Sequence, residues 1–236
     1  FYQSKFCKHA ATHFLGERKG RSEILYNAVD TDLFKPNKIS YLDNTNPFVF
    51  LLTGQIDRHL YYRIDSTIRS IATVNQHGLN ARLIVAGGLD KVTKNLSSAL
   101  VEKLNIKDSV AFTGPYTQDE APSIYNSANA YVMTKHNDPC PNTVIEALSC
   151  GLPILYSATG GVPELVGKEA GVPLKCEQSW DEPAVPNPEE ICNGMFEIAK
   201  KHQEMKVSAR NRAIKIFNIK NWIKRHKIIF EELLNK

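Results

Sequence analysis

The sequence predicts an α/β protein: a parallel sheet with helices on both of its faces. Three observations carry this. Apolar runs of strand length, such as FVFLLTG (48–54) and ARLIVAGG (81–88), alternate with stretches of helical period. The runs are mostly apolar rather than alternating, as strands covered on both sides are. Several end in glycine, at Gly54, Gly87–Gly88 and Gly114, where a buried strand gives way to a loop above the sheet edge.

The elements follow in order. Ser4 to Leu15 reads as a helix, with Ser4 as its N-cap and Gly16 as its stop. Glu23 to Tyr26 reads as a short strand, and NAVDTDLFKP (27–36) is turn chemistry with Asn, two Asp and a closing Pro. Lys35 to Pro47 is polar and irregular, a linker. After the strand at 48–54, Ile64, Ile68, Ile71 and Ala72 recur at helical spacing. The strand at 81–88 is followed by a helix from Val92 to Leu104, then the strand SVAFTG (109–114). A helix from Asp119 to Ala128 tolerates Pro122 in its first turn. AYVMT (130–134) is a strand, Asn142 to Ser149 a helix, PILYS (153–157) a strand, and GVPLK (171–175) a sixth strand. A proline-rich patch, WDEPAVPNP (180–188), leads into helices that run to the end. There Ile219, Trp222, Ile223, Phe230, Leu233 and Leu234 share one face.

Bulk properties exclude several classes. The 236 residues suffice for one large domain or one domain with an appendage, and 42% hydrophobic with 23% charged residues is ordinary for a globular chain. No apolar run approaches the roughly 20 residues of a membrane span. No leader precedes an apolar core, so no signal peptide is visible, and a chain opening at Phe1 is expected to be part of a longer one. Cytoplasmic placement is the expectation. Five cysteines without a CxxC pair point to reduced thiols, with Cys140 a small packing residue, and away from a zinc site. The net charge of +4 hides an asymmetry, because 200–236 holds eleven Lys or Arg against three Glu. A basic tail suits an anionic membrane surface or a solvated helix face. Without an accompanying aromatic platform it does not indicate nucleic acid.

The most informative stretch is KHNDPCPNTVIEALSCGLPI, Lys135 to Ile154. A turn with two prolines precedes a short helix. Asp138 stands before it and Glu146 one turn inside it, eight positions on. A helix start presents unpaired N–H groups and partial positive charge, which suits phosphate. Asn142, Thr143 and Val144 would supply those groups. Glu146 could accept both hydroxyls of a ribose, and Asp138 those of another hydroxylated group. The spacing therefore fits a nucleotide sugar. From spacing alone, a plain N-cap at Asp138 and a dipole partner at Glu146 fit better, because acidic residues near helix starts are common.

Motif and context together are more specific. The stretch resembles the donor-binding motif of family 4 (group 1) glycosyltransferases with the GT-B fold, in which two Glu with seven residues between them precede an Ala and an apolar-Gly-Pro turn. Here the second is Glu146, followed by ALSCGLPI, and the first position holds Asp138. GGVPELVG (160–167) is similar to that family's loop after the next strand, and ILYNAVDTDLFKP (24–36) to its interdomain linker. YQSKFCK (2–8) resembles the end of its first domain, and TGQIDRH (53–59) with YRIDSTI (62–68) the start of its second. The resemblance implies the C-terminal half of a GT-B fold, a Rossmann-like sheet. It implies three parts: 1–45 as the end of the N-terminal domain with the linker, 46–203 as the donor domain, and 204–236 as C-terminal helices packing back on the N-terminal domain. It also implies retaining transfer from a UDP- or GDP-sugar to a glycan or lipid-linked acceptor, as in polysaccharide biosynthesis. No cofactor and no metal are expected. Catalytic positions fall on Asp138 and Glu146. Donor contacts fall on Gly54, Gln55, Arg58, Arg63, Gly87, Asn142, Thr143, Val144 and Glu146.

The match has departures. The family's diphosphate-binding Arg follows the first-strand Gly, where this chain has Gln55, and its Lys falls near Tyr61 or Tyr62. Arg58 and Arg63 are the candidate replacements, since guanidinium grips phosphate bidentately. Asp for Glu at 138 shortens the reach by one methylene. Two other functions compete. A non-catalytic nucleotide-sugar-binding or scaffolding module accounts for the missing Arg/Lys pair. A dehydrogenase or epimerase would need GxGxxG after the first strand, and GQIDRH has only its first Gly. With the acceptor half mostly absent, this stretch of chain is expected to bind donor without transferring it efficiently.

Overall fold

The computed structural model describes residues 1–37 and 46–235. At its centre lies a six-stranded sheet, parallel throughout: β1 (Phe48–Thr53), β2 (Ala81–Ala86), β3 (Val110–Gly114), β4 (Ala130–Met133), β5 (Ile154–Ser157) and β6 (Gly171–Leu174), in the order β3-β2-β1-β4-β5-β6. The helices are α1 (Lys5–Leu15), α2 (Tyr61–Gln76), α3 (Lys91–Lys103), α4 (Ala121–Asn126), α5 (Asn142–Ser149), α6 (Val162–Val166), α7 (Pro188–Ile216) and α8 (Ile219–Leu234). The α/β class and the expected strands of the sheet are as read from sequence.

Four features differ from expectation or lie beyond it. Glu23–Tyr26 is not a strand: it makes one parallel bridge, Tyr2 to Ile24, because its partner segment turns into α1 two residues later. The helix expected over 119–128 is confined to Ala121–Asn126, since the Glu120 carboxylate accepts from the Thr117 N–H and hydroxyl and holds a turn there. GGVPELVG contains α6, with its proline in the first turn. Most of the linker expected over 35–47 lies outside the described residues.

Each face of the sheet has its own core. On one, α2 and α3 bury Ile64, Ile68, Ile71 and Leu100 against Phe50, Leu52, Leu83 and Val85. On the other, α5 and α6 bury Val144, Leu148, Leu165 and Val166 against Leu51, Tyr131 and Tyr156. Burying a side chain of this size contributes roughly 1.5–3 kcal/mol. α7 serves both faces. Ile191, Met195 and Ile198 join the first core, while Ala209, Ala213 and the following Phe217 join the second. The helical path breaks at Lys201, with φ −104° and ψ 16°, and the helix passes from the first core, which still holds Met205, to the second by Ala209. Next to Lys201, His202 is buried, shares a hydrogen bond with the Asn129 carbonyl (2.9 Å) and meets the Phe48 ring edge-on. The helix thus turns around the N-terminal edge of the sheet, at the entrances to β1 and β4.

The N-terminal segment is fastened to this body. The Ser4 hydroxyl caps α1, and Glu164 of α6 accepts from the Lys5 and Phe6 N–H groups (both 3.0 Å) and from the Tyr26 hydroxyl. That places a carboxylate on the positive end of α1. α8 has no buried residue and leans on the same segment through Arg225 with Glu23, Arg21 with Glu232, and Phe1 on His226. Of the expected apolar stripe, Ile223, Phe230, Leu233 and Leu234 are exposed. All five cysteines are unpaired, and Cys140 is a packing residue whose thiol is pushed up to about 11 by burial. Among the described residues no helix is long and apolar enough to cross a membrane.

Arg210 of α7 knots three segments together. Its guanidinium donates to the carbonyls of Thr31, Phe34 and Ser149 and to the Ser149 hydroxyl. Removing it strands several half-buried carbonyls. Arg210→Ala should lower the unfolding free energy by about 3 kcal/mol in urea titration, and a loss under about 1 kcal/mol would show that water replaces it.

Candidate active site

In a sheet of this order the chain leaves β1 to one side for β2 and β3, then returns to the other side for β4. Loops on opposite sides of the β1/β4 boundary diverge above the carboxyl ends of the strands and leave a crevice where ligands bind. Four elements meet there. β1 ends at Gly54, which has φ 144°, and β2 ends at Gly87, where an added Cβ would lie 2.1 Å from the Gly54 carbonyl oxygen. Only glycine permits that backbone contact. Beyond β4 runs the loop from Thr134 to Pro141, and α5 starts from it.

α5 begins without a side-chain cap, since its N-cap residue is Pro141. Val144 N–H turns back to the Pro141 carbonyl at 3.1 Å, so its donor is used within the helix. Among the described residues the N–H groups of Asn142 and Thr143 have no partner. They are the unsatisfied donors of a helix start. Of the three expected donors, two are therefore available. The Asn142 amide oxygen is held by the Asn27 side chain at 2.8 Å.

The two arginines left open by the sequence differ sharply. Arg58 is exposed on a 3-10 turn, Arg58–Leu60, and its backbone N–H donates to Asp90. Arg63 is only 3% exposed. Its Nη2 donates to the Thr53 carbonyl (3.3 Å), and its Nη1 lies 3.3 Å from where a Cβ on Gly54 would sit. No carboxylate pairs with it among the described residues, and its Nε has no partner. An uncompensated buried cation is expensive. Here it sits directly under the end of β1. Gln55, where the resemblance leads one to expect an Arg, is exposed and lies over Gly88, where a Cβ would meet its Oε1 at 1.9 Å.

Glu146 is the fifth residue of α5, past the first turn. It accepts from the Tyr125 hydroxyl at 2.8 Å and from Gln118 at 3.4 Å. Burial raises its carboxyl above the ordinary range, and the Tyr125 and Gln118 hydrogen bonds offset part of the rise. Asp138 is not a helix cap. Its carboxylate, with 14% side-chain exposure, pairs with Lys135 at 3.0 Å, and its backbone carbonyl accepts from Gly161 N–H at 2.9 Å. The plain cap and dipole roles thus fit neither carboxylate. Beneath them Tyr131, fully buried, bonds Thr53 at 2.8 Å across the β1/β4 boundary.

Sequence reading had no signal for Tyr125, Tyr131, Gln118 or Lys135 as site residues. Tyr125 stands 21 positions from Glu146 and reaches it only because α4 packs beside α5. Cavities occur elsewhere: about 200 Å³ beside Asn129, His202 and Lys206, and about 380 Å³ between Phe1, Arg21 and Phe230. Neither is lined by Asp138, Glu146 or the start of α5. No cluster of three or more metal-ligating side chains occurs among the described residues.

Fold and site define a doubly wound α/β domain with free helix-start N–H groups and a buried arginine near its switch point. The chain belongs to the glycosyl transferases group 1 family, whose model matches residues 34–184. It is 30% identical over 107 residues to a D-inositol 3-phosphate glycosyltransferase of Salinispora arenicola, covering 42% of this chain and 23% of that protein. Its fold is that of GT-B glycosyltransferases. It superposes on sucrose-phosphate synthase from Thermosynechococcus elongatus with a TM-score of 0.80 at 19% identity, covering 99% of this chain and 58% of that one. It superposes on Anabaena HepE, solved in complex with UDP and glucose, with a TM-score of 0.75 at 19% identity, covering 98% and 62%. The chain therefore spans under a quarter of the curated relative and about six-tenths of each solved structure.

Because the Tyr125 ring is fully buried and its hydroxyl serves Glu146, Tyr125→Phe should cost about 1–2 kcal/mol of stability. Thermal unfolding with unchanged near-ultraviolet dichroism would check it, and an unaltered melting temperature would show that the bond contributes nothing.

Proposed function

We propose that this chain is the donor-binding part of a retaining glycosyltransferase. The observation that carries the proposal is the combination of a buried Arg63 without a carboxylate partner, two free N–H groups on α5 and Glu146, near the β1/β4 switch point. The diphosphate sits over Gly54 and the start of α5, where Asn142 and Thr143 donate to it and Arg63 supplies charge from below. Glu146 accepts from the ribose diol. Asp138 accepts from the sugar, with Lys135 beside it. As the sugar–phosphate bond breaks, the leaving diphosphate gains charge. The fixed donors and the buried cation stabilise that charge without reorganising, which is the work such a site performs. HepE, solved with UDP and glucose, supports the class of ligand. On this reading the acceptor, a glycan or a lipid-linked sugar, is held by the rest of the protein, and these residues bind donor without transferring it efficiently. Transfer takes place on the cytoplasmic side, at the membrane face when the acceptor is lipid-linked.

A second reading, a nucleotide-sugar-binding module without catalysis, is favoured by Gln55 at the diphosphate-binding position. Assay of the full protein with acceptor separates the two: product formation abolished by Glu146→Ala sinks the second.

Calorimetric titration with UDP, GDP and ADP tests donor binding. One should bind, and Glu146→Ala should weaken it at least tenfold, about 1.4 kcal/mol. Arg63→Met should weaken it comparably, whereas Arg58→Ala should leave it within about twofold. Equal effects of the two arginines would remove Arg63 from the site.

The raised Glu146 carboxyl adds a pH dependence. Its ionised form accepts the diol, so affinity should begin to fall on acidification while the pH is still above the ordinary 4.5. Glu146→Gln should flatten the fall. Stability runs the other way: the folded state holds this proton more tightly than the unfolded chain. The contribution is complete below the unfolded pKa and is lost as pH rises through the folded one. Glu146→Gln should therefore melt no lower than the native protein at pH 7, and a lower melting temperature would contradict the sign.

A further inference from the structure

The loop that carries Asp138 is held from outside the sheet. Asn137 adopts φ 51°, a left-handed conformation unfavourable for most residues other than glycine and least so for Asn. Its side chain is gripped at both ends: Nδ2 donates to the Ser179 carbonyl (2.6 Å) and Oδ1 accepts from Gln178 Nε2 (2.7 Å). Gln178 Oε1 accepts in turn from Gly160 N–H at 3.2 Å. One exposed side chain thus bridges the Asp138 loop and the Gly160–Gly161 turn. That turn lies against the same loop backbone to backbone, since a Cβ at Gly160 would fall 2.6 Å from the Asp138 oxygen and one at Gly161 2.0 Å from the Pro139 oxygen.

His136 locks the loop a second time. Its Nδ1 accepts from Ala184 N–H (3.1 Å), so its proton is on Nε2, which donates to the Ser179 carbonyl (3.0 Å). The segment 178–184 is a strap, tightened by the Ser179 hydroxyl accepting from the N–H groups of Asp181 and Glu182. Trp180 seats the strap on α1, stacked on Phe6 and His13 (both 5.2 Å) and edge-on to Phe14 (5.3 Å). The other end of the clamp reaches α1 as well, because Glu164, three residues after Gly161, caps it.

The geometry points to Gln178 as a positioning residue that sets Asp138 against the donor sugar, through a strap anchored on α1 by Trp180. This rests on the donor-site reading of Asp138 and Glu146. Gln178 touches no reacting atom. Its role is to hold the Asn137 amide and the Gly160 turn in register, so its loss should change sugar recognition while leaving the diphosphate site, built on α5 and β1, intact.

Two measurements on the full protein test this. In hydrogen exchange, Gln178→Ala should speed exchange of amides 136–138 by roughly tenfold and leave 145–149 of α5 unchanged. In calorimetry with UDP and UDP-glucose, and with GDP and GDP-mannose, Gln178→Ala should hold the nucleoside diphosphate within about twofold. The matching nucleotide sugar should weaken at least fivefold, as with Asp138→Ala, and the double variant should be no weaker than Asp138→Ala alone. Trp180→Leu should shift both readouts in the same direction by less. Unchanged exchange at 136–138, or equal weakening of diphosphate and nucleotide sugar, overturns the positioning role. Failure of the donor reading looks different: the native protein then binds neither diphosphate nor nucleotide sugar, whatever the exchange of the loop, and no role in placing a donor sugar survives.

Discussion

Backbone must meet backbone, with nothing between, at the carboxyl edge of this sheet. Gly87 faces the Gly54 carbonyl, and Gly160–Gly161 faces Asp138 and Pro139, at separations that leave no room for a Cβ. This constraint sets how closely the loops beyond β1, β2, β4 and β5 converge. A methyl group at any of these positions would push a loop outward by more than a hydrogen bond tolerates.

The rest of the fold serves that convergence. A parallel sheet needs cover on both faces, and α7 supplies part of each by bending at Lys201 and turning around the N-terminal edge of the sheet. The carboxyl edge is left clear. Arg210 on the second half of α7 then binds the carbonyls of the 27–36 turn and the end of α5, which fixes α5 from behind. The polar atoms of the site are held in the same way. Tyr125, with no exposed surface, spends its hydroxyl on Glu146, and Tyr131 spends its own on Thr53. Rigid partners of this kind preorganise a carboxylate. The accompanying burial keeps Glu146 reluctant to ionise, a local cost in stability of the sort functional sites carry.

The group 1 family membership gives these features a common purpose. On the proposed donor reading, the free N–H groups of α5 with Arg63 answer to the diphosphate, Glu146 to the ribose diol and Asp138 to the sugar. On the proposed reading, the departure at Gln55 is met from below rather than in place, by Arg63 of α2 under the strand end. The strap of 178–184 and the cap from Glu164 both fasten on α1. The position of α1 is therefore tied to the loop carrying Asp138.

Some of this was legible in the amino-acid sequence alone. Strand-length apolar runs ending in glycine determined the parallel sheet, because period and length are local properties of the chain. The α5 segment with Glu146 on it was legible because spacing along one helix maps directly onto space, whereas Asp138 lies in the loop before that helix. Tertiary structure alone decided the rest. Glu23–Tyr26 has strand composition but no neighbour long enough to pair with. Val144 has a donor that the helix uses itself. Arg58 and Arg63 are equivalent on paper, five positions apart, yet one faces solvent and the other lies beneath Gly54. Tyr125, Lys135, Gln178 and Trp180 reach the site or its loop through hydrogen bonds and stacking. For Tyr125, Gln178 and Trp180 these span large sequence separations. Such contacts depend on how helices and loops pack, and no local pattern encodes that.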